Sequence, residues 1–196
     1  MDAFDARPVV KSPDGKLGLT VTGPKQSYEA WVTVDPSSFP DGPVQLWPIQ
    51  ASVDVLWRPD SRAFALTDNR YANRSYVLVC STTFRMGEKG PGLGVSITDL
   101  TPTVEKALEK RAQAYYAGQT FDTPLFYAKV LRWTDNDQLL LGLSARTLLA
   151  NRHGSGRALR IRNWDLGYLV DVPNNKVAAV LNEAQLLSQY GIRVAK

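Results

Sequence analysis

A turn built on aspartate and followed at once by an apolar strand occurs three times in this chain. The three turns are centred on Asp14, Asp60 and Asp135. In such turns proline presets the first corner, aspartate hydrogen-bonds nearby backbone, and glycine or asparagine accepts a positive φ. The apolar stretches that follow are 17–21, 63–66 and 139–141. Each turn therefore predicts a β-hairpin, and a chain that repeats this hairpin is predicted to be mainly β.

The spacing of the turns predicts an insertion. Asp14 and Asp60 are 46 residues apart, whereas Asp60 and Asp135 are 75 residues apart, and the excess is the length of one helix with its loops. Apolar and polar residues alternate through the first hundred residues, which is typical of half-buried strands. The run 139–141 is apolar on both faces, so we expect that strand to be central in its sheet.

The turn sequences carry a family resemblance. Ser-Pro-Asp-Gly-Lys at 12–16 and Trp-Arg-Pro-Asp-Ser at 57–61 resemble the turns of TolB-type and WD-type β-propeller blades. In that family the turn joins the first two strands of a four-stranded blade. A chain of 196 residues forms one or two domains, most simply a single domain, 1–196. The resemblance implies blade-like units within it at about 8–50, 51–100 and 125–182. A closed propeller needs about four blades, so three units imply an open or partial propeller, a β-sandwich, or a half-ring completed by a second copy as a homodimer.

Two helices are predicted. Thr101 as N-cap, Pro102 at the first helical position and Gly118 as the stop favour a helix at about 102–117, inside an insertion at 101–118. Its predicted buried stripe is Val104, Ala107, Leu108, Arg111, Ala112 and Tyr115, and its solvated face is Glu105, Lys106, Glu109, Lys110 and Gln113. A second helix is predicted at about 183–190, capped by Asn182 and Gln185 and ended by Gly191. Leu186, Leu187 and Tyr190 are predicted to dock it on the sheet.

The composition and the first residues of the chain indicate the class of protein and the cellular compartment. A chain of 196 residues with 44% hydrophobic and 21% charged residues is typical of a globular domain. No apolar run reaches the length of a membrane span. The single Cys80 excludes an internal disulfide, and we expect it to be a buried structural thiol. Residues 1–8 lack the basic and apolar regions of a signal peptide, which favours either a cytoplasmic protein or a periplasmic one whose leader has been removed.

Candidate catalytic residues are few. A Ser-His-Asp or Cys-His hydrolase would have to use His153, the single histidine, which lies in a glycine-rich loop that we interpret as an exposed turn. A zinc site is excluded by the lack of ligands, and we expect no cofactor. Asp135 and Asp137 could hold calcium, but their turn role explains them already. The glycine-rich segment 87–94 lacks the Gly-Lys-Ser/Thr ending of a phosphate loop and predicts a hairpin.

A basic cluster is the main candidate binding site. Arg152, Arg157, Arg160 and Arg162 lie within eleven residues. If Leu159 and Ile161 face the core, alternation turns Arg160, Arg162 and Trp164 outward. Arginine and tryptophan are common at interface hot spots, although a solvated strand face is the simpler account. The loop 68–74 could join this cluster. The predicted binding residues are Arg157, Arg160, Arg162, Trp164, Arg70 and Tyr71.

These observations predict a non-catalytic module that binds a protein partner. By analogy of fold alone, its setting would be the bacterial periplasm or envelope, in an inhibitor or immunity-type role. One alternative is a hydrolase that uses His153 or loop carboxylates. Another is a protein that binds nucleic acid or a phosphate ligand through the basic face Arg152–Arg162, but a net charge of +4 does not require such a partner.

Overall fold

Three runs of four strands follow one another along the chain. The structure, a computed structural model, describes residues 10–22, 28–34, 44–49, 52–87, 90–134, 137–149 and 160–193. The first run is β1 (Val10–Lys11), β2 (Leu17–Thr22), β3 (Tyr28–Val34) and β4 (Val44–Ile49). The second is β5 (Val53–Trp57), β6 (Ala63–Tyr71), β7 (Arg74–Gly87) and β8 (Gly90–Asp99). The third is β9 (Phe121–Trp133), β10 (Gln138–Leu149), β11 (Ile161–Asp171) and β12 (Lys176–Leu181).

Within each run, strands that follow one another in sequence pair with one another. The first run forms a four-stranded sheet, ordered β1-β2-β3-β4, and the other two runs form one eight-stranded sheet, ordered β12-β11-β10-β9-β7-β6-β5, with β8 also paired to β7. Helix α1 (Thr101–Tyr115) stands between the second and third runs, and α2 (Glu183–Tyr190) follows the third. The predicted class, mainly β with meanders and two helices, is confirmed. The comparison of these runs with propeller blades stays a prediction, as does the choice between a partial propeller and a sandwich.

Each predicted aspartate turn joins a pair of antiparallel strands, namely β1 with β2, β5 with β6, and β9 with β10. The first two turns share their hydrogen bonds. Asp14 Oδ1 accepts from the backbone N–H of Lys16 at 3.1 Å, and Asp60 Oδ1 accepts from that of Arg62 at 3.0 Å. The residue after each aspartate has a positive φ. Glycine accepts this conformation at position 15, where φ is 72°, whereas Ser61 adopts it with φ of 62°.

The third turn is one residue shorter than the other two. The closing backbone hydrogen bond runs from Ser12 N to Leu17 O in the first turn, and from Thr134 N to Gln138 O in the third. Asp137 has the positive φ, 55°, at the same distance from the start of the turn as Gly15. Asp135 itself lies outside the described residues. The described part of the third turn therefore shares a closing hydrogen bond and a residue of positive φ with the other two turns, but the closing bond spans one residue fewer.

The chain divides into two compact units, and β7 contributes residues to both. The first unit is Met1–Arg70 with Leu78–Thr98. Its core contains Leu17, Leu19, Trp57, Phe64, Leu66, Leu78 and Cys80. The Trp57 ring lies against Phe64, with centroids 4.7 Å apart. Cys80 is fully buried, which raises the pKa of its thiol to about 12. The predicted buried thiol is confirmed.

The second unit is Tyr71–Val77 with Asp99–Lys196. Strand β10 lies between β9 and β11, and its residues 139–141 are fully buried, which confirms the predicted central strand. Strand β9 also pairs in parallel with the start of β7, at Arg74 and Phe126. Neither helix in the described part of the chain is long and apolar enough to cross a membrane.

Helix α1 forms close to the predicted position but differs at both ends. Leu100 occupies the N-cap position without a side-chain cap, and the predicted cap Thr101 is buried instead. Its Oγ1 accepts a hydrogen bond from the backbone N–H of Val77 at 2.9 Å, so the hydroxyl fixes the helix to β7. At the other end Tyr115 is half exposed, contrary to the predicted stripe. The helix ends there, and Tyr116 turns into the core in its place.

Helix α2 matches its prediction in both bounds and caps. Asn182 Oδ1 accepts from the backbone N–H of Gln185, and the Gln185 side chain accepts in return from the N–H of Asn182, both at 2.9 Å. Gly191 ends the helix in the left-handed conformation. Leu186 is buried and Tyr190 packs against the same core cluster, as expected, but Leu187 is exposed, contrary to the prediction.

Candidate interaction site

The guanidinium group of Arg162 lies beside two aromatic rings, that of Tyr115 at the C-terminal end of α1 and that of Trp164 in β11. Its central carbon is 5.2 Å from the ring centroid of Tyr115 and 5.3 Å from that of Trp164. The two rings meet edge to face with centroids 5.7 Å apart. These distances are within the range of cation–π contacts and of favourable aromatic pairs. We call Tyr115, Arg162 and Trp164 the Arg162 stack.

Hydrogen bonds among buried groups fix Trp164, the buried ring of the stack. The Trp164 indole N–H donates to Thr147 Oγ1 at 2.9 Å, and the hydroxyl of Tyr116 lies 3.1 Å from the same oxygen. That hydroxyl is also 3.1 Å from the carbonyl oxygen of Thr147 and 3.3 Å from that of Arg160. The Tyr116 ring stacks on Phe121 at 5.6 Å. Tyr116, the residue that follows α1, is therefore connected to β9 through its ring and to β10 through its hydroxyl, and Trp164 of β11 shares the Thr147 oxygen with it.

The outer part of the stack is open to solvent. Half of the Tyr115 side chain is exposed, and Arg160 and Arg162 are exposed on the same side of β11. Trp164, by contrast, is only 7% exposed. The site thus combines an exposed ring and exposed guanidinium groups with a buried aromatic support.

The predicted orientation of β11 is wrong. Ile161 was expected in the core but is 55% exposed, and Trp164 was expected outside but is buried. The buried row of this strand is Trp164, Leu166, Tyr168 and Val170. Side chains alternate in a strand, so Arg160 and Arg162 belong to the same row as these core residues. Both are nevertheless exposed to solvent.

The other predicted binding residues do not join the stack. Tyr71 is exposed and its ring contacts Tyr76 at a centroid distance of 6.3 Å. Tyr76 also contacts Arg74, which pairs with Glu105 near the start of α1. Ten helical residues separate Glu105 from Tyr115, a distance of about 15 Å. The loop 68–74 and the arginine cluster are therefore associated with opposite ends of this helix. The side chain of Arg70, and all of Arg157, lie outside the described residues.

An ion pair on α1 was missed by the sequence reasoning. Arg74 Nη2 lies 2.5 Å from Glu105 Oε1, and the guanidinium is 5.8 Å from the ring centroid of Phe126. Burial raises the pKa of Glu105, and the charge of Arg74 opposes that shift. Glu105 was expected on an ordinary solvated face. No local signal could have revealed the pair, because it depends on how β7 packs beside α1.

The described residues contain no group of three or more histidine, cysteine, aspartate or glutamate side chains placed to hold a metal ion. The hydrolase alternative depends on His153, which lies outside the described residues. No protein-family model, no curated protein and no solved structure matches the chain.

Proposed function

We propose that the chain is a non-catalytic module that binds another protein, with the Arg162 stack at the centre of its binding surface. The supporting observation is an exposed Tyr115 ring and Arg162 guanidinium held on a buried, hydrogen-bonded base. Tyrosine, tryptophan and arginine are the residues most enriched at interface hot spots. A side chain that is already ordered loses less conformational entropy on binding, so a preformed stack favours affinity.

The charges around the stack favour an acidic partner surface. Arg160 and Arg162 are both exposed there, and a planar guanidinium can hold a carboxylate through two parallel hydrogen bonds. The Tyr115 ring adds an apolar contact beside them. By analogy of fold alone, we infer that such a module acts as an inhibitor or immunity-type protein of the bacterial envelope.

The test compares substitutions of exposed residues in the stack with the substitution of an exposed arginine outside it. Arg162→Ala and Tyr115→Ala remove the exposed parts of the stack, whereas Arg193→Ala removes an exposed arginine that follows α2. Extract of the native host is passed over each immobilised protein. The partner is the protein retained by the wild type and by Arg193→Ala but lost from Arg162→Ala. We expect the affinity of that purified partner to fall at least tenfold for Arg162→Ala, about 1.4 kcal/mol.

Stability measurements separate binding from folding. Isolated surface substitutions usually change the unfolding free energy by less than about 0.5 kcal/mol, so Arg193→Ala should melt close to the wild type. Arg162→Ala and Tyr115→Ala also lose ring contacts worth about 0.5–1.5 kcal/mol, so they should melt slightly lower and stay folded. If every retained protein binds Arg162→Ala and Tyr115→Ala as well as it binds Arg193→Ala, the stack is ordinary surface and the proposal fails.

Nucleic-acid binding is the second candidate, because an exposed ring beside arginines can also stack a base and contact phosphate. It predicts that a single-stranded oligonucleotide binds and that the logarithm of its affinity falls steeply with the logarithm of salt concentration. A protein partner that binds in the presence of excess oligonucleotide would contradict this alternative.

A further inference from the structure

Strands β7 and β8 of the first unit end in a ribbon of two strands. Strand β7 pairs with both β6 and β8. Just before β6 begins, Thr82 donates its backbone N–H to the carbonyl oxygen of Arg62 at 2.8 Å. Beyond Thr82, β7 continues to Gly87 with β8 as its one neighbour among the described strands. A two-stranded hairpin without a third strand or a covering layer is marginally stable in water.

The core of the first unit covers only part of these two strands. Leu78 and Cys80 belong to that core, and the same row of β7 continues through Phe84 and Met86. Phe84 is 56% exposed and Met86 is 84% exposed. The layer that packs on the core therefore ends before the ribbon does, so any further support has to come from beside the ribbon.

The outer edge of β8 lacks the usual protection of an edge strand. Strand β8 pairs with β7 alone in the described part of the chain. It has ten residues, its one proline is at the second position, and no charged residue occurs before Asp99. Proteins commonly protect exposed edges with charged side chains, proline or bulges, because an open edge is a template for another strand. The segment 92–98 therefore provides an edge on which a further strand can pair.

The side chains of this edge strand match their own copy. Leu93 and Val95 pack against the core, and Ile97, the next residue of that row, is 38% exposed. When a two-fold axis relates two antiparallel strands, the same face of both lies on one side. The rows Leu93, Val95 and Ile97 of the two copies then form one continuous apolar row.

Charge also favours a second copy as the occupant. Like charges that lie directly opposite destabilise paired strands, and the uncharged segment 90–98 places none there. An anionic membrane is a weaker fit, because Arg85 alternates with Met86 in β7 and lies on the opposite face of the ribbon. The exposed apolar side chains are therefore not accompanied by a basic one on their own face.

We propose that the chain forms a homodimer in which β8 pairs in antiparallel orientation with β8 of a second copy. The two ribbons then make one four-stranded sheet in the order β7-β8-β8-β7. Paired edge strands bury less area than a standard interface, so we expect a dissociation constant in the micromolar range.

Sedimentation equilibrium of the full chain over a series of concentrations tests the proposal. Ile97→Lys places a cation in the paired strand of each copy, so it should weaken the dimer at least tenfold. Ile161→Lys is the matched control, because it makes the same change at an isoleucine of β11 that is 55% exposed. That control should dimerise like the wild type. Both positions are exposed, and melting temperatures verify that both variants fold.

Cross-linking provides a second readout that does not depend on the lysine variant. Cys80 is the single cysteine and is fully buried, so a new surface cysteine supplies the reactive thiol. Ser96→Cys, in β8, should be joined to its copy by a short bismaleimide linker. Ser188→Cys, at an exposed serine of α2, should remain monomeric under the same conditions.

Three results would overturn the inference. They are a wild-type chain that stays monomeric up to about 1 mM, a dimer that Ile97→Lys leaves intact, and equal cross-linking of the two cysteine variants. The inference is independent of the proposed protein-binding function, since Arg162→Ala should dimerise like the wild type. A failure of one proposal is therefore distinguishable from a failure of the other.

Discussion

The hydroxyl of Thr147 is the point on which the candidate interaction site can be tested most directly. It is fully buried and accepts the indole N–H of Trp164 at 2.9 Å. Thr147→Val keeps the shape of the side chain and removes that acceptor. The hydroxyl of Tyr116 would keep two carbonyl oxygens within 3.3 Å. The main cost is therefore one buried N–H without a partner.

A buried donor without a partner costs about 1–3 kcal/mol. The additional methyl group of valine returns part of this, about 0.8 kcal/mol. We expect Thr147→Val to lower the free energy of unfolding by about 0.2–2 kcal/mol. Tyr116→Phe should cost less, about 0.5–1.5 kcal/mol, because Thr147 Oγ1 would still accept from Trp164.

A double-mutant cycle isolates the hydrogen bond from other effects of the substitutions. Trp164→Phe removes the N–H, so in that background only the gain from the valine methyl group remains, and Thr147→Val should stabilise by up to about 0.8 kcal/mol. The four proteins are unfolded in urea, and the difference between the two Thr147→Val effects should be about 1–3 kcal/mol. A coupling below about 0.3 kcal/mol would refute the reasoning, because Trp164 would then not depend on this hydroxyl.

Three further predictions concern the rest of the fold. Gly167→Ala should destabilise by about 1–3 kcal/mol in urea unfolding, because its β-carbon would lie 2.9 Å from Leu186 Cγ; Gly167→Ala with no measurable cost would contradict this packing. Cys80, buried and with a pKa of about 12, should react with a thiol reagent at pH 8 only when the protein unfolds; stoichiometric native labelling would be the contrary result. The hydrogen bonds from Arg58 lower the pKa of Asp60 below 3.8, so its stabilising contribution should be present above about pH 4 and disappear as the pH falls below that value. Asp60→Asn should flatten this part of the curve of urea midpoint against pH.

The parts of the fold that were predictable from sequence have determinants that lie close together in the chain. The turns at Asp14 and Asp60 carry their hydrogen-bond acceptor and their left-handed residue side by side. Helix α2 carries both caps within ten residues, and its bounds match the prediction. The α1 N-cap failed because Thr101 has a distant partner, the backbone of Val77, which a local motif cannot reveal.

The error in β11 has a different origin. The alternation of Ile161 with its arginines was read over four residues, which is too short to decide which face is buried. The longer row formed by Trp164, Leu166, Tyr168 and Val170 has the opposite parity and supplies the core contacts. Reading that whole row would have placed Trp164 inside, because a strand cannot exchange its faces without a bulge.

The candidate interaction site depends on the insertion that disturbs the spacing of the turns. Helix α1 stands between β8 and β9, in the interval where the turns are 75 rather than 46 residues apart. Tyr115, its last residue, lies against Arg162, and Tyr116, the next residue, contacts the hydroxyl of Thr147. Without the helix, Arg162 would lose one of its two rings. The irregularity in the repeat is therefore the sequence feature most closely tied to the proposed binding surface, because the residues it adds complete the Arg162 stack.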